Sequence, residues 1–242
     1  LAWELRGRYR LRATPMPDAV AEAMRACRGE RSPVILADTA DNPGGGAPGN
    51  TTFLLNALLE AAARDVVMGL QCDRAVVDAA WDAGVGATVH LRFNEGSTDP
   101  FAEPLECDAE VLALVHEPLV PTKGVYDGST RHPGRCCALR IDGVRIAVSS
   151  HKVQCADDDT LLHVGLQPAT ARVTVVKSRG HFRAGFAHLF ADDQIIEVGA
   201  PGVATAEIDR IEWQHVPRPA FPFDPVDGWT PLASLHRAMV TP

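Results

Sequence analysis

The sequence lacks the features that mark several large classes of protein. It contains no run of about 18 uninterrupted apolar residues, so no membrane-spanning helix is predicted. Its net charge of −8 leaves no basic face with which to neutralise nucleic-acid phosphates or to dock on an anionic membrane. Apolar residues make up 46% of the 242-residue chain, which is ordinary for a globular protein. These properties predict a soluble, cytoplasmic protein that binds neither nucleic acid nor membranes.

Cysteine pairs of the C-x-x-C type are also absent. The six cysteines stand mostly among apolar neighbours, which favours buried free thiols over a disulfide scaffold or a zinc site. The first residue is Leu1 rather than Met, which is consistent with a fragment or a processed product.

Alternating strand and helix patterns predict a parallel sheet in the first hundred residues. Strands are predicted at 33–37, 65–70 and 87–93, and helices at 18–28, after an N-cap at Asn50, and at 74–83. Strands and helices that alternate at such short spacing favour parallel strands joined by helices.

The pattern changes between residues 101 and 168, which we call the β insert. Short alternating or β-branched runs predict strands at 109–115, 136–141 and 144–149, with a tight hairpin turn at Asp142-Gly143. Strand, helix and strand patterns then return at 172–176, 181–190 and 194–198.

We therefore predict an α/β fold, a mostly parallel, three-layer core with an antiparallel β insert. The core would occupy about 30–100 and 170–200, and the insert about 101–168. From residue 200 to 242 the chain is a proline-rich tail, which is expected to form little regular structure and to run over the surface.

The loop from Asp38 to Asn50, here called the glycine loop, is the first candidate site. It would leave the carboxyl end of a parallel strand, which is where ligands bind in open α/β sheets. Free backbone N–H groups and the dipole of the following helix would favour a carboxylate or phosphate there. It matches no nucleotide-binding motif, and its glycines could equally serve turn geometry alone. The residues predicted to face a substrate are Asp38, Asp41, Asn42, Gly44, Gly45 and Gly46.

The second candidate lies just beyond a later predicted strand. Lys177, His181 and Arg183 would bring cationic or titratable groups to the same sheet edge, where they could bind a carboxylate or stabilise an oxyanion. Scattered charges at a solvated helix start are the alternative interpretation.

Metal and nucleophile motifs are missing. The nine histidines form no H-E-x-x-H, the cysteines and histidines form no short array with zinc spacing, and no G-x-S-x-G is present. The sequence therefore assigns no catalytic residue and no metal ligand in this chain.

Three motifs carry a resemblance to a known family. Residues 33–52, Pro-Val-Ile-Leu-Ala-Asp-Thr-Ala-Asp-Asn-Pro-Gly-Gly-Gly-Ala-Pro-Gly-Asn-Thr-Thr, resemble the opening of the C-terminal domain of the microcystinase C (MlrC-like) zinc metallopeptidases. Lys177-Ser178-x-x-His181-Phe182-Arg183-Ala184 looks like that domain's second hallmark, and residues 200–203 resemble its close. The resemblance extends from about residue 3 to about residue 225. One departure is Asn50, because the family usually has Asp there; either residue can cap a helix, but a charge role would be lost.

The resemblance implies a two-part enzyme that hydrolyses linearised microcystin and related short peptides. An N-terminal domain would hold the zinc, and none of its ligands would lie in this chain. This chain would complete the substrate cleft while a zinc-bound water attacks the peptide. Its implied partners are the N-terminal zinc domain, in the same or a separate chain, and a peptide substrate. A non-catalytic module that binds a small anion, or a structural domain that drives homo-oligomerisation, remain the alternatives.

Overall fold

The computed structural model describes residues 3–9 and 12–226. The described residues form two compact units that divide between Ala206 and Glu207. The part of the proline-rich tail beyond residue 226 lies outside the described residues. None of the helices within the described ranges is long and apolar enough to span a membrane.

Within these ranges the chain forms nine strands and five α-helices, together with short 3-10 turns. The strands are β1 (Thr14–Pro15), β2 (Val34–Asp38), β3 (Val66–Cys72), β4 (Thr88–Phe93), β5 (Leu105–Val115), β6 (Cys136–Ile141), β7 (Val144–Ser149), β8 (Val173–Val176) and β9 (Ile195–Gly199). The helices are α1 (Met16–Cys27), α2 (Phe53–Glu60), α3 (Arg74–Ala83), α4 (Asp159–Leu162) and α5 (Phe182–Phe186).

All nine strands belong to one sheet, in the order β1-β9-β2-β8-β3-β7-β6-β5-β4. The first six strands in this order, β1-β9-β2-β8-β3-β7, pair in parallel with their neighbours. The remaining pairs, β7-β6, β6-β5 and β5-β4, are antiparallel. The predicted α/β fold, mostly parallel with an antiparallel stretch, is confirmed. The strands of the β insert continue the same sheet.

Strand β2 explains why the domain has three layers. Its side chains are buried on both faces, as is typical of a central parallel strand. Val34 and Leu36 pack in an apolar cluster with α1, α2 and α3. Ile35 and Ala37 belong to a second cluster on the opposite face, with α4 and α5. Helices therefore cover both faces of the sheet.

The third predicted strand, β4, does not continue the parallel sheet, and that expectation is wrong. β4 lies at the far edge and pairs antiparallel with β5. The two positions beside β3 are occupied by β8 and β7, which come from much later in the chain. Local alternation of strands and helices could not show this, because it carries no information about distant strands.

The best-predicted local elements have clear sequence causes. Helix α3 begins after Asp73, whose Oδ1 accepts a hydrogen bond from the Val76 N–H at 3.1 Å, and it ends at Gly84. The hairpin between β6 and β7 is confirmed: Ile141 pairs with Val144 across Asp142-Gly143. Gly143 is required there because a Cβ would lie 2.8 Å from the Arg64 Cα.

Two predicted details are wrong. Helix α5 ends at Phe186, well before residue 190. Asn50 is not an N-cap, because α2 begins at Phe53 after Thr52. The Asn50 side chain instead donates from Nδ2 to Asp99 Oδ2 at 3.0 Å, while its backbone carbonyl accepts from Gln71 Nε2 at 2.7 Å.

Candidate functional site

The glycine loop and the segment that follows β8 meet at one edge of the sheet. Strands β2 and β8 are parallel neighbours, and Ala37 pairs with Val176 near their carboxyl ends. The chain therefore leaves both strands in the same direction, and the two segments come into contact directly beyond them.

Three of the predicted site residues lie at the base of this edge, in what we call the acid–lysine cluster: Asp38, Asp41 and Lys177. All three are completely buried. Lys177 Nζ donates to Asp41 Oδ2 at 2.7 Å and to the Thr51 carbonyl at 2.8 Å, and it lies 3.5 Å from Asp38 Oδ2. The cluster was expected to face a substrate, but its side chains contact the protein interior.

Asp41 joins the two ends of the glycine loop. Its Oδ1 accepts from the Gly49 N–H at 2.8 Å, and its Oδ2 accepts from the Thr51 N–H at 2.7 Å. Because both carboxylate oxygens are occupied in this way, the cluster holds the loop in one conformation.

The two aspartates have pKa values that move in opposite directions. Burial raises the pKa of Asp38, with Lys177 only partly offsetting it, and Asp38 Oδ2 has no hydrogen-bond partner among the described residues. Burial also works to raise the pKa of Asp41, but Lys177 and the Thr51 and Gly49 N–H groups outweigh it and hold that pKa below its usual value. Asp41 is therefore the anionic partner of Lys177.

The backbone N–H groups of the three glycines are not free to bind an anion, so that expectation is wrong. The Gly44 N–H donates to Asn42 Oδ1 at 3.0 Å, the Gly45 N–H to the Asn42 carbonyl at 2.9 Å, and the Gly46 N–H to the Pro43 carbonyl at 3.1 Å. Each donor is used within the loop, because the chain turns sharply there in a 3-10 conformation.

An open pocket of about 440 Å³ is lined by residues that closely follow Asp41 and Lys177 in the chain, among others, and we call it the sheet-edge pocket. It brings together four of the predicted residues, together with four that sequence reasoning did not select. Its lining residues are Asn42, Gly44, Gln154, Arg179, Gly180, His181, Arg183 and Glu197.

Gln154 connects the parts of this pocket and was missed from the sequence. Its Nε2 donates to Asn42 Oδ1 at 2.7 Å and to Ser178 Oγ at 2.9 Å. Its Oε1 accepts from the Tyr126 hydroxyl at 3.1 Å and lies 2.9 Å from His181 Nδ1. No sequence signal marked it, since it follows β7, and only the pairing of β7 with β3 brings it to this edge.

The charges of the pocket favour an anionic group. Arg183 Nη2 pairs with Glu197 Oε1 at 2.7 Å. Arg179 is exposed and has no hydrogen-bond or ion-pair partner within the described ranges. Glu197 is the one carboxylate among the lining residues, so Arg179 leaves the pocket with unbalanced positive charge.

Metal binding does not fit these residues. Across residues 3–9 and 12–226, no group of three or more histidine, cysteine, aspartate or glutamate side chains could hold a metal ion. Among the residues that line the pocket, His181 and Glu197 are the two potential metal ligands, and two ligands do not make a metal site.

Comparison with known proteins decides the family. The family model described as "MlrC C-terminus" matches residues 36–215, which include the glycine loop, Gln154 and the Lys177–Arg183 segment. This chain belongs to the MlrC C-terminus family. The resemblance found in its sequence motifs is thereby confirmed.

Two relatives show how this MlrC C-terminal chain compares with longer proteins. It is 31% identical over 196 residues to "Microcystinase C" from Sphingomonas sp., over 80% of this chain and 36% of that protein. It also resembles a crystal structure named "Putative metallopeptidase from Mesorhizobium sp. BNC1", with a TM-score of 0.79 and 23% identity, over 95% of this chain and 44% of that one. The second likeness shows the fold. The chain spans less than half the length of either relative.

Proposed function

We propose that this chain is the C-terminal domain of a zinc metallopeptidase that hydrolyses short or linearised peptides, of the microcystin-degradation type. A partner N-terminal domain, in the same or a separate chain, would hold the zinc, and this chain would complete the substrate cleft. Family membership and the relatives named for peptidases support the class of enzyme. The observation that carries the role of this chain is the sheet-edge pocket, with its free Arg179 beside His181 and Arg183.

Each group at the edge then has a defined part. Arg179 would bind a carboxylate of the peptide, and Arg183, held by Glu197, would lie next to a carbonyl or carboxylate oxygen. Gly44, Gly45 and Gly46 are exposed and would let substrate or the zinc domain approach the backbone closely. Asp38, Asp41 and Lys177 would act from below by keeping the glycine loop in place.

A free-standing small-anion module is less well supported than the cleft role. That reading depends on open N–H groups in the glycine loop, and the N–H groups of all three consecutive glycines are already bonded within it. Domain-driven oligomerisation is tested by the same variants as the cleft role.

The first experiment measures peptide hydrolysis by this chain, by a matching N-terminal zinc domain, and by the two mixed, each with zinc supplied. We expect strong hydrolysis from the mixture and little from either chain by itself. Strong zinc-dependent hydrolysis by this chain by itself would refute the proposal.

The second experiment tests the pocket in the active mixture. Arg179→Ala is expected to lower kcat/KM by about 10- to 100-fold, the value of a charge-assisted hydrogen bond, mainly through KM. With the native chain, kcat/KM should be lower for a peptide with an amidated C-terminus than for the same peptide with a free carboxylate. For the amidated peptide, Arg179→Ala should lower kcat/KM little further.

Arg183→Ala is tested in the same way, and Arg92→Ala is its matched control. Like Arg183, Arg92 is half-exposed and paired with carboxylates, but it lies on β4 at the far edge of the sheet. Unchanged kinetics in Arg179→Ala and Arg183→Ala, with loss of assembly between copies, would instead favour a structural domain.

A further inference from the structure

We propose that Gln154 is a positioning residue that fixes the tautomer of His181. It would hold the ring proton on Nδ1, so that Nε2 is left as a bare hydrogen-bond acceptor on a side chain that lines the sheet-edge pocket. The assignment of the proton follows from the structure alone. Its use toward a peptide rests on the proposed function.

The hydrogen bond between Gly44 and Asn42 has a direction that is certain. A backbone N–H can only donate, and the Gly44 N–H lies 3.0 Å from Asn42 Oδ1. The oxygen of the Asn42 side-chain amide must therefore face Gly44, because the amide nitrogen in that place would set two donors against each other. This defines the orientation of the Asn42 side chain.

The orientation of Gln154 follows from that of Asn42. The atom of Gln154 that lies 2.7 Å from Asn42 Oδ1 has to be a donor, since two carbonyl oxygens at that distance would repel. It is therefore Nε2, which also donates to the buried Ser178 hydroxyl at 2.9 Å. Gln154 is only 3% exposed, so water cannot readily replace these partners.

The oxygen of Gln154 must then point the other way, toward His181. Oε1 carries no proton, and His181 Nδ1 lies 2.9 Å from it. The hydrogen bond exists only if Nδ1 bears the proton. A neutral imidazole has one ring proton, so Nε2 is left with its lone pair, and no hydrogen bond joins it to any of the described residues.

This arrangement adds a function that the arginines of the pocket cannot supply. Arg179 and Arg183 can only donate hydrogen bonds, and a peptide bond also carries an N–H that needs an acceptor. His181 Nε2 would accept that N–H, or take a proton from a reacting group, next to the carboxylate bound by Arg179. Without Gln154, the ring could place its proton on Nε2 and present a donor instead.

The packing around Gln154 supports a dedicated role. A Cβ on Gly44 would lie 2.6 Å from the Gln154 Cδ, so glycine at this position leaves the space that the amide occupies. The Tyr126 ring packs edge-on against the His181 ring, at 6.1 Å between centroids, and its hydroxyl donates to the same Gln154 oxygen. Tyr126 and Gln154 therefore restrain the ring from two sides.

The test is a direct measurement of the tautomer. The 242-residue chain is labelled with ¹⁵N-histidine, and long-range ¹H–¹⁵N correlation spectra are recorded at about pH 8.5, where free imidazole is neutral. The signal of His181 is assigned by its loss in His181→Gln. We expect the pattern of a protonated Nδ1 and an unprotonated Nε2; the reverse pattern in the native chain overturns the proposal.

Two variants test the cause. Gln154→Ala removes the acceptor, and Gly44→Ala displaces the Gln154 amide without removing it, so both should move the ring toward the Nε2–H form. Tyr126→Phe removes only the second donor to Oε1 and should leave the tautomer on Nδ1. If Gln154→Ala fails to fold, Gly44→Ala provides the same readout. An Nδ1–H pattern that persists in either folded variant contradicts the role of Gln154.

The spectra separate this proposal from the proposed function. The tautomer is read in the absence of zinc, peptide and partner domain. Should the native chain show Nδ1–H while the domain mixture hydrolyses no peptide, the positioning of His181 stands and the peptidase role fails. In an active mixture, Gln154→Ala is expected to lower kcat/KM by about tenfold, as for one lost hydrogen bond.

Discussion

Lys177 Nζ lies 2.7 Å from Asp41 Oδ2, and both side chains are completely buried. This ion pair connects the ends of two loops that leave neighbouring parallel strands, and it determines the shape of the glycine loop above it. Charged residues that the sequence analysis expected to face a substrate are therefore buried, and they hold the glycine loop in place.

Replacing Lys177 by Met should destabilise the fold strongly. The change leaves Asp41 buried without its cation, and breaking a buried pair in this way typically costs about 3–5 kcal/mol. The measurement is the free energy of unfolding in urea. Arg92→Gln, which removes an exposed arginine paired with Glu95 and Glu106, should cost less than about 1 kcal/mol. Equal losses in the two variants would show that the buried pair contributes no more than a surface pair.

Asp38→Asn and Asp41→Asn should change the free energy of unfolding in opposite directions as the pH rises from acid to neutral. The folded pKa of Asp41 is lowered, so its contribution to stability is present above the ordinary value of 3.8 and is lost as the pH falls below that value. Asp41→Asn should thus be least stable relative to the native chain at neutral pH, and the difference should shrink in acid.

The folded pKa of Asp38 is raised, so ionising it costs stability as the pH rises above 3.8. Asp38→Asn should remove that cost and be as stable as the native chain or more stable at neutral pH, since Oδ1 can still accept from the Asp41 N–H. The free energy of unfolding in urea, measured from pH 3 to 8, checks both predictions. If Asp38→Asn lost more stability than Asp41→Asn at pH 7, Asp38 rather than Asp41 would be the anionic partner of Lys177.

Gly185→Ala should disrupt the packing of helix α5 against Ala156 and Asp157. A Cβ at this position would lie 2.5 Å from the Asp157 Cα, and backbone atoms cannot move away at low cost. Overpacking of this kind costs about 1–3 kcal/mol. Gly180→Ala is the matched control, because nothing lies within 4 Å of its Cβ. The thermal midpoint of each variant decides; a stable Gly185→Ala chain would mean that α5 can shift.

The buried thiols should be slow to react in the folded chain. All six cysteines are free, and Cys136, Cys137 and Cys155 are buried. Burial raises the pKa of Cys136 to about 12 and that of Cys72 to about 11, so little thiolate forms at neutral pH. Titration with a chromogenic disulfide reagent at pH 7.5 should detect all six thiols after denaturation. Rapid reaction of Cys136 in the native chain would contradict its burial.

Local sequence patterns predicted the elements well where the physics is local. Helix α3 runs over Arg74–Ala83 as predicted, because Asp73 caps it and Gly84 ends it. The hairpin at Asp142-Gly143 depends only on a two-residue turn. Strand β4 was assigned the wrong partners, because its neighbours are decided by strands from elsewhere in the chain.

The candidate site divides in the same way. Its position followed from a general rule of parallel sheets, and the motifs identified the family. The sequence did not show which side chains face the pocket. In the motif that contains Lys177, His181 and Arg183, the first side chain is buried and the other two line the pocket.

The sequence by itself determined the class of fold, most of the secondary structure, the family and two of the segments that line the sheet-edge pocket. Only the tertiary structure decided that Asp38, Asp41 and Lys177 form a buried cluster and that Gln154 joins His181 to the glycine loop. Residue type and spacing report the intrinsic preference of a segment. The burial of a charge and the partner of a hydrogen bond depend on which strands become neighbours in the sheet, and the paired strands β2 and β8 lie more than a hundred residues apart in the chain.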